Sequence, residues 1–267
     1  MDLGLKDKVA IITGANNLQG IGATTAFAFA GEGVSLVLIY KRVMRQYDER
    51  KTGGNGTDRY YKANSGDASM VEEKLRSMGA NYFIVESDIT DEQCVINIFN
   101  RAVERFGKID ILVNNAANFD ENDTIETLTT DAIGNTFDVN VRGTLLMARE
   151  FVKRRGAYGR IINLSTDAAQ NFSGQITYGA SKAAVEALTR SIAVEVGEYG
   201  ITVNCVAPGP TQTGWIDEEL EKIAISQIPL NRLIEPQEIA DAILFLTSER
   251  ASMITGQVIK VSGGHAL

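Results

Sequence analysis

The feature that most constrains the fold is an alternation of short, continuously apolar runs with longer segments of helical periodicity. The runs do not alternate apolar and polar residues, and such runs are typical of strands that helices cover on both faces. The pattern predicts a single α/β domain over residues 1–267, built on a doubly wound parallel sheet with helices on both faces. The predicted strands are residues 8–13, 35–40, 82–86, 109–113, 160–164, 202–206 and 258–261, and the predicted helices are residues 22–31, 91–106, 130–154, 176–198 and 236–247.

Two segments lie outside this alternation. Residues 41–66 are polar, basic and rich in glycine, at a place where a short strand-to-helix link is expected. Loops of this length in compact domains are usually functional or disordered. We interpret the segment as an insertion loop, and both a passive surface excursion and a flap over substrate or cofactor remain open. Residues 211–230 contain Trp215, Ile216 and Leu220 and suggest an amphipathic lid over the substrate, with core packing as the alternative.

Composition excludes several classes of function. The net charge of −8 argues against nucleic acid or an anionic membrane as a partner, since both bind basic surfaces. No stretch approaches the ~20 apolar residues of a membrane span, and the start lacks a signal-peptide pattern, so a cytoplasmic protein is expected. Cys94, Cys205 and His265 are too few for a zinc cluster, so no metal site is expected. The single histidine lies near the chain end, which argues against a Ser-His-Asp triad.

A glycine-rich turn, TGANNLQGIG over residues 13–22, leaves the first predicted strand and opens a helix. Glycine lets a backbone approach a phosphate closely, and a helix N-terminus offers free N–H groups to the anion. The cofactor contacts predicted here are Gly14, Asn16, Asn17, Gly20 and Ile21. The spacing is not the general GxGxxG fingerprint, so the turn alone does not distinguish a nucleotide site from a structural turn.

The end of the second predicted strand carries Tyr40, Lys41 and Arg42. Chains that bind NAD usually have an Asp or Glu there, which accepts hydrogen bonds from the ribose hydroxyls. A carboxylate repels the extra phosphate of NADP, whereas Lys and Arg attract it. The missing acid therefore favours NADP over NAD, and a solvated basic turn is the alternative interpretation.

Three further pieces follow in order: NNAA at residues 114–117, Ser165 with Thr166, and YGASK from Tyr178 to Lys182. Tyr178 and Lys182 are four residues apart in a predicted helix, so both side chains project from one face. A lysine ammonium near a phenol lowers the phenol pKa. Tyr178 would then donate and recover a proton more readily near neutral pH. A YxxxK pair alone is common by chance, and it becomes significant only together with the other motifs of the chain.

Together these motifs resemble the short-chain dehydrogenase/reductase family in its shorter-subunit form. The resemblance runs from residue 8 to residue 264. Within the family, the chain is similar to bacterial oxidoreductases of the ketoacyl-carrier-protein reductase type. It implies a Rossmann-type sheet, NADP as the cofactor (NAD less so), and hydride transfer to or from a carbonyl or alcohol carbon. The motifs that carry it are the glycine turn, Asp88-Ile89, NNAA, Asn140 in DVNVRG, Ser165, YGASK, Pro208-Gly209-Pro210 with Thr213, and the tail ITGQVIKVSGG.

The resemblance also implies roles for single residues. Tyr178 is the expected acid in reduction and base in oxidation, and Lys182 binds the nicotinamide ribose and tunes Tyr178. Ser165 hydrogen-bonds the substrate oxygen, and Asn140 holds a water that relays protons past Lys182. The remaining cofactor contacts that it implies are Asp88 and Ile89 at the adenine, Asn115, Ala116 and Ala117 along the adenosine side, and Pro208, Gly209, Thr211 and Thr213 near the nicotinamide and pyrophosphate.

The sequence departs from the family pattern in three places: two extra residues precede Gly20, Ala117 replaces a glycine, and residues 41–66 have no usual counterpart. The substrate hydroxyl is also ambiguous. Counting back 13 residues from Tyr178, the commonest family interval, selects Ser165, whereas the strand ending selects Thr166. We take Ser165 as the first choice, because a β-branched side chain restricts χ1 and adds a methyl group at the substrate contact.

Two other functions compete with carbonyl reduction. A nucleotide-sensing regulator on the same fold would bind NADP without catalysis, but such proteins usually lose the tyrosine or the lysine. An enoyl reductase would separate these two residues by more than four positions. Relatives in the family are mostly tetramers, so we expect a homotetramer or homodimer, with helices 130–154 and 176–198 packed across a two-fold axis.

Overall fold

The computed structural model describes residues 2–121, 123–167, 169 and 173–266. Seven parallel strands form one sheet in the order β3-β2-β1-β4-β5-β6-β7. Each strand lies within two residues of its predicted position, so the predicted doubly wound sheet is confirmed. The strands are β1 Val9–Thr13, β2 Ser35–Tyr40, β3 Tyr82–Glu86, β4 Ile111–Asn114, β5 Gly159–Leu164, β6 Ile201–Pro208 and β7 Val258–Val261.

Helices cover both faces of the sheet. Alternate residues of β1 face opposite cores, with Ile12 in one apolar cluster and Ile11 in the other. The first cluster includes residues of α1, α3 and α9, and the second includes residues of α4, α6 and α7. The helices of the described residues are α1 Ile21–Gly31, α2 Thr57–Ser65, α3 Ser69–Ser77, α4 Glu92–Phe106, α5 Thr130–Phe137, α6 Thr144–Lys153, α7 Ile176–Val196, α8 Glu218–Gln227 and α9 Pro236–Thr247.

The strand order reverses between β1 and β4, which are neighbours in the sheet. Loops that leave the carboxyl ends of strands at such a reversal diverge and leave a crevice, where open α/β sheets bind their ligands. The glycine turn follows β1 and the NNAA motif begins in β4. The fold therefore brings these two motifs together at the crevice.

The helix predicted over residues 130–154 is divided in the structure. A π-helical turn, Asp138–Gly143, separates α5 from α6 and contains Asn140. Such turns are rare and occur frequently at functional sites. Gly143 allows close packing here, since a Cβ on it would lie 2.8 Å from the Ile89 side chain.

The prediction that residues 41–66 form a loop is wrong in part. The segment contains a short 3-10 turn, Glu49–Lys51, and helix α2. Only Tyr61 of α2 is buried, so the helix has no apolar stripe to reveal it in the sequence. Contacts with other parts of the chain, described below, hold it in place.

The predicted lid contains helix α8, which begins after Asp217, and the Asp217 carboxylate accepts hydrogen bonds from the Glu219 and Leu220 N–H groups. Ile216 is buried, whereas Trp215 is 40% exposed. Ile216 therefore packs in the core, whereas Trp215 remains partly accessible at the surface. No helix within the described ranges has both the length and the apolar character that crossing a bilayer requires.

Candidate active site

The glycine turn is fitted tightly against the NNAA segment. Gly14 has φ +71°, and a Cβ on it would lie 2.8 Å from the Ala116 Cα. A Cβ on Gly22 would lie 2.5 Å from the Gly14 carbonyl oxygen. The Asn115 amide donates to the Thr13 and Gly14 carbonyls at 2.8 and 2.9 Å. Asn115 therefore holds the turn in shape from the neighbouring strand.

Helix α1 begins at Ile21, and within the described part of the chain no side chain caps its N-terminus at Gly20. The first N–H groups of a helix have no partner within the helix, so an anion at this end is stabilised by them and by the helix dipole. Side chains larger than hydrogen are excluded at Gly14 and Gly22, which keeps the backbone of the turn accessible. These residues fit a dinucleotide phosphate.

Asn16 and Asn17 have structural partners in the longer glycine turn. The Asn16 amide donates to the Asn64 carbonyl at 3.2 Å and to the Gly66 carbonyl at 3.0 Å. The Asn17 amide donates to the Thr213 carbonyl at 3.2 Å. Both amides were predicted to contact the cofactor, and in the structure they tie the turn to the insertion and to the lid.

The basic end of β2 is paired with acids from β3 and the segment after it. The Lys41 ammonium forms an ion pair with Asp88, and Arg42 Nη2 lies 2.9 Å from Glu86 Oε2. Neither ion pair was predicted from the sequence. The parallel register places Tyr40 opposite Glu86, which brings the acids to this corner. A phosphate at this corner would therefore share its cations with two carboxylates.

The other implied cofactor residues lie along the same edge of the sheet. Asp88 also accepts from the Thr90 N–H at 2.9 Å, and Ile89 is buried against Gly143. Ala116 is half-buried and Ala117 is exposed. Pro208 ends β6, the Gly209 N–H donates to Val261 at 3.1 Å, and the Thr211 hydroxyl donates to the Gly209 carbonyl at 2.9 Å.

Tyr178 and Lys182 lie one turn apart on α7, as predicted from their spacing. Lys182 Nζ donates to the Leu164 carbonyl at 2.8 Å and lies 5.6 Å from the centre of the Tyr178 ring. Burial lowers the pKa of Lys182 to about 8. Burial, followed by the nearby Tyr60 phenol, raises the pKa of Tyr178. The sequence predicted that Lys182 lowers this pKa, whereas in the structure the pKa is raised and burial is the largest cause.

Asn140 connects the site to the loop after β4. Its side-chain amide donates to the Asn118 carbonyl at 2.9 Å and to Ser181 Oγ at 2.8 Å, and its Oδ1 accepts from the Asn118 N–H at 2.7 Å. Asn140 is buried, and Ser181 directly precedes Lys182. The asparagine therefore fixes the start of that loop and the turn of α7 that contains Ser181 to the π-helical turn.

The Ser165 hydroxyl contacts two residues of α7. It donates to Glu186 Oε1 at 2.9 Å and lies 3.3 Å from the Lys182 carbonyl oxygen. Thr166 is half-buried, and its hydroxyl makes no hydrogen bond with any residue in the described part of the chain. The Ser165 hydroxyl is therefore engaged with α7 at residues 182 and 186.

Asp123 is a residue that sequence reasoning missed. Its fully buried carboxylate accepts from the Thr177 N–H at 2.8 Å, the Thr177 hydroxyl at 2.8 Å and the Tyr178 N–H at 3.0 Å. It thereby caps the N-terminus of α7 from a loop 54 residues away. No local pattern in the sequence could have revealed this pairing, because capping residues are normally sought beside the helix.

A second missed contact joins the tail to the segment after β5. His265 Nδ1 lies 2.8 Å from Asp167 Oδ2, and Asp167 follows the two candidate hydroxyl residues. The Asp167 side chain is 2% exposed. The single histidine thus anchors the end of the chain to the segment after β5.

Comparison with known proteins identifies relatives of this chain. A family model described as enoyl-(acyl carrier protein) reductase matches residues 55–266. The (2S)-[(R)-hydroxy(phenyl)methyl]succinyl-CoA dehydrogenase subunit BbsD of Thauera aromatica is 33% identical, over 99% of this chain and 99% of its own length. The chain belongs to the short-chain dehydrogenase/reductase family. The predicted family is confirmed, and the chain is an oxidoreductase of this family.

Further relatives cover nearly the whole chain. Versicolorin reductase of Emericella nidulans is 31% identical over 97% of this chain and 96% of its own length. A short-chain dehydrogenase/reductase from Serratia marcescens superposes with a TM-score of 0.83 at 28% identity, over 98% of this chain and 99% of the other. A blue fluorescent protein from a metagenomic library, in complex with NADPH, superposes with a TM-score of 0.82 at 27% identity. The match covers 99% of this chain and 100% of the other.

Proposed function

We propose that the chain is an NADP(H)-dependent oxidoreductase that reduces a carbonyl to an alcohol, or runs the reverse reaction, with Tyr178 as the proton donor. The observation that carries this proposal is the placement of Tyr178 and Lys182 on one face of α7, joined through Ser181 to the buried Asn140. The names of two relatives support it. One is described as the dehydrogenase of a hydroxyl-bearing succinyl-CoA, and the other as a reductase.

The cofactor would be held by the glycine turn, from Gly14 to the N-terminus of α1 at Ile21. When bound, its nicotinamide exchanges a hydride with the substrate carbon. Tyr178 donates a proton to the carbonyl oxygen in reduction and takes it back in oxidation. Lys182, with a pKa of about 8, is mostly protonated at neutral pH and favours the phenolate that Tyr178 leaves behind.

We assign the remaining catalytic roles to Asn140 and to a hydroxyl after β5. Asn140 positions the start of the loop after β4 and would support a water next to Lys182. The contacts of Ser165 with Glu186 favour Thr166 as the hydroxyl that hydrogen-bonds the substrate oxygen. A preorganised donor of this kind stabilises the charge that develops on the oxygen in the transition state.

We retain NADP as the proposed cofactor. It is supported by Tyr40 at the position where an acid would bind the ribose of NAD, and by the neighbouring Lys41 and Arg42. The ion pairs with Asp88 and Glu86 reduce the positive charge that remains for a phosphate. The preference for NADPH is therefore expected to be moderate rather than absolute.

The test is a turnover assay with purified protein. NADPH and NADH oxidation are followed by absorbance with a panel of ketones, and an enoyl thioester is included because of the name of the matching family model. Ketone reduction with NADPH supports the proposal. Turnover of the thioester alone would identify an enoyl reductase, and NADPH binding without turnover of any substrate would identify the nucleotide-sensing regulator.

We further propose assembly into a homotetramer or homodimer. Apolar side chains are exposed on the helices expected to form the interface, including Ile133 on α5, Leu145 on α6 and Val194 on α7, the last at 83%. Sedimentation equilibrium tests the assembly, and a monomer at micromolar concentration would contradict it.

A further inference from the structure

Helix α2 of the insertion is attached to both sides of the reaction site. At its carboxyl end, the Asn16 amide of the cofactor turn donates to the Asn64 and Gly66 carbonyls. At its amino end, the Gly56 N–H donates to the Gly214 carbonyl of the lid at 2.8 Å. The helix therefore spans from the cofactor turn to the substrate lid.

A third attachment joins the insertion to the loop after β4. The Arg45 guanidinium lies over the Phe119 ring at 4.5 Å and the Tyr61 ring at 5.0 Å, and it donates to the Phe119 carbonyl. The Tyr61 hydroxyl donates to Glu121. Phe119 follows Asn118, which Asn140 holds, so this attachment is made to a part of the site itself.

Between these attachments lies Tyr60, in the middle of α2. Its ring centre is 6.3 Å from that of Phe119, and the two rings are tilted by 41°. Phe119 follows Asn118, and the Asn140 amide donates both to the Asn118 carbonyl and to Ser181 Oγ on α7. The ring pair is therefore joined to the turn of α7 that carries Tyr178, and, after burial, the Tyr60 phenol in turn raises the pKa of Tyr178. Tyr60 is half-buried, and its partial removal from water raises the pKa of its phenol, which is therefore neutral at physiological pH. The ring therefore presents a neutral, largely apolar surface beside the catalytic tyrosine.

We propose that α2 forms the roof of the substrate site and that Tyr60, paired with Phe119, is a specificity-determining residue that limits the bulk of the substituents on the substrate carbonyl. The inference rests on the proposed carbonyl chemistry at Tyr178. Aromatic pairs are stiff and keep their shape, so they exclude a group that does not fit. In an apolar pocket even one methylene changes selectivity by about 10–200-fold.

The experiment compares cyclohexanone with 4-phenylcyclohexanone, which differ by one phenyl ring. Tyr60→Ala is expected to raise the ratio of kcat/KM for the bulky over the small ketone by about 10-fold or more. Tyr60→Phe keeps the ring and should leave the ratio within about two-fold, whereas Tyr60→Trp should lower it. Tyr47→Ala is the matched control, since Tyr47 lies in the same insertion and is exposed.

Binding separates this inference from the proposed function. Calorimetry measures the affinity of both ketones for the complex of each variant with NADP⁺, whether or not turnover occurs. If the parent protein reduces no ketone, the proposed function fails, and a shift of the binding ratio in Tyr60→Ala still supports the roof. The inference about α2 and Tyr60 would be overturned if the ratio of affinities for the two ketones were unchanged in Tyr60→Ala and Tyr60→Trp while their circular dichroism spectra equalled that of the parent.

Discussion

The cap that Asp123 provides for α7 allows a quantitative prediction. Substitution Asp123→Ala removes a buried carboxylate and leaves the Thr177 and Tyr178 N–H groups without this acceptor. A buried donor that loses its partner costs about 1–3 kcal/mol, and hydrogen bonds to charged groups lie at the upper end. With two N–H groups and the Thr177 hydroxyl affected, we expect a loss of about 3–5 kcal/mol.

The same substitution should impair catalysis, because the cap holds the backbone of Tyr178 itself. Small displacements of a reacting group reduce the rate strongly, so kcat should fall by more than KM rises. Asp123→Asn keeps one oxygen that accepts hydrogen bonds, and it should lose roughly half as much stability as Asp123→Ala. The assays are urea unfolding for the free energy and steady-state kinetics for the kcat and KM values.

Asp131→Ala is the matched control for this prediction. Asp131 lies in the first turn of α5 and is exposed, so its removal should change stability by no more than about 0.5 kcal/mol. The reasoning would be refuted if the free energy of unfolding of Asp123→Ala lay within about 0.5 kcal/mol of that of the parent protein. The buried carboxylate would then make no net contribution to the start of α7.

Three further predictions concern charge and proton transfer. Tyr178→Phe should fold normally and lose turnover by about 10²–10⁴-fold in the ketone assay, and near-parent rates would contradict its role as the acid. Lys182→Met should abolish turnover and yet stabilise the fold at pH 7. Since the pKa falls from 10.5 to about 8, the folded state disfavours the ammonium by about 3 kcal/mol. Urea unfolding should show this gain below pH 8, decreasing as the pH rises and absent above pH 10.5, where the amine is neutral in both states; equal stability at pH 7 would argue against it. Lys41→Ala with Arg42→Ala should raise the KM for NADPH and hardly change that for NADH, and parallel changes in both would count against a phosphate contact.

The strands and the reactive motifs were predictable because their signals are local. A strand covered on both faces must be apolar along its whole length, so β2, β3 and β7 match their predicted bounds. Tyr178 and Lys182 needed only the helical period to be placed on one face. The π-helical turn at Asn140 was missed because one added residue in a helical turn barely alters the apolar pattern.

The contacts that sequence reasoning missed depend on the topology of the chain. Lys41 and Arg42 were visible as a basic pair, but their acids come from a neighbouring strand, and only the sheet register brings them close. Helix α2 lacks an apolar stripe and is held by Asn16 and by aromatic contacts from distant segments. Such partners are chosen by tertiary packing, which a single sequence does not display.

The proposed reaction needs a hydroxyl that polarises the substrate carbonyl, and Ser165 and Thr166 are the two candidates. The Asn163 amide donates to the Thr189 hydroxyl at 2.9 Å, and the Ser165 hydroxyl donates to Glu186, so both side chains face α7. Thr166 is the next residue, and among the described residues its hydroxyl has no such partner on α7, which leaves it available to a substrate oxygen. Thr166 is also one residue farther toward the end of α7 that carries Tyr178.

We therefore expect Thr166→Ala to lower kcat by about 10²-fold, the usual effect of losing one donor to a developing oxyanion. Thr166→Ser should restore most of the rate, because it returns the hydroxyl and removes only the methyl group. Ser165→Ala should leave kcat within a few-fold and reduce stability by about 1 kcal/mol, since it removes a hydrogen bond to Glu186. The opposite pattern, with a large loss of kcat in Ser165→Ala alone, would return the role to Ser165. It would also show that the interval of 13 residues to Tyr178 is a better guide than the hydrogen bonds that the two hydroxyls make.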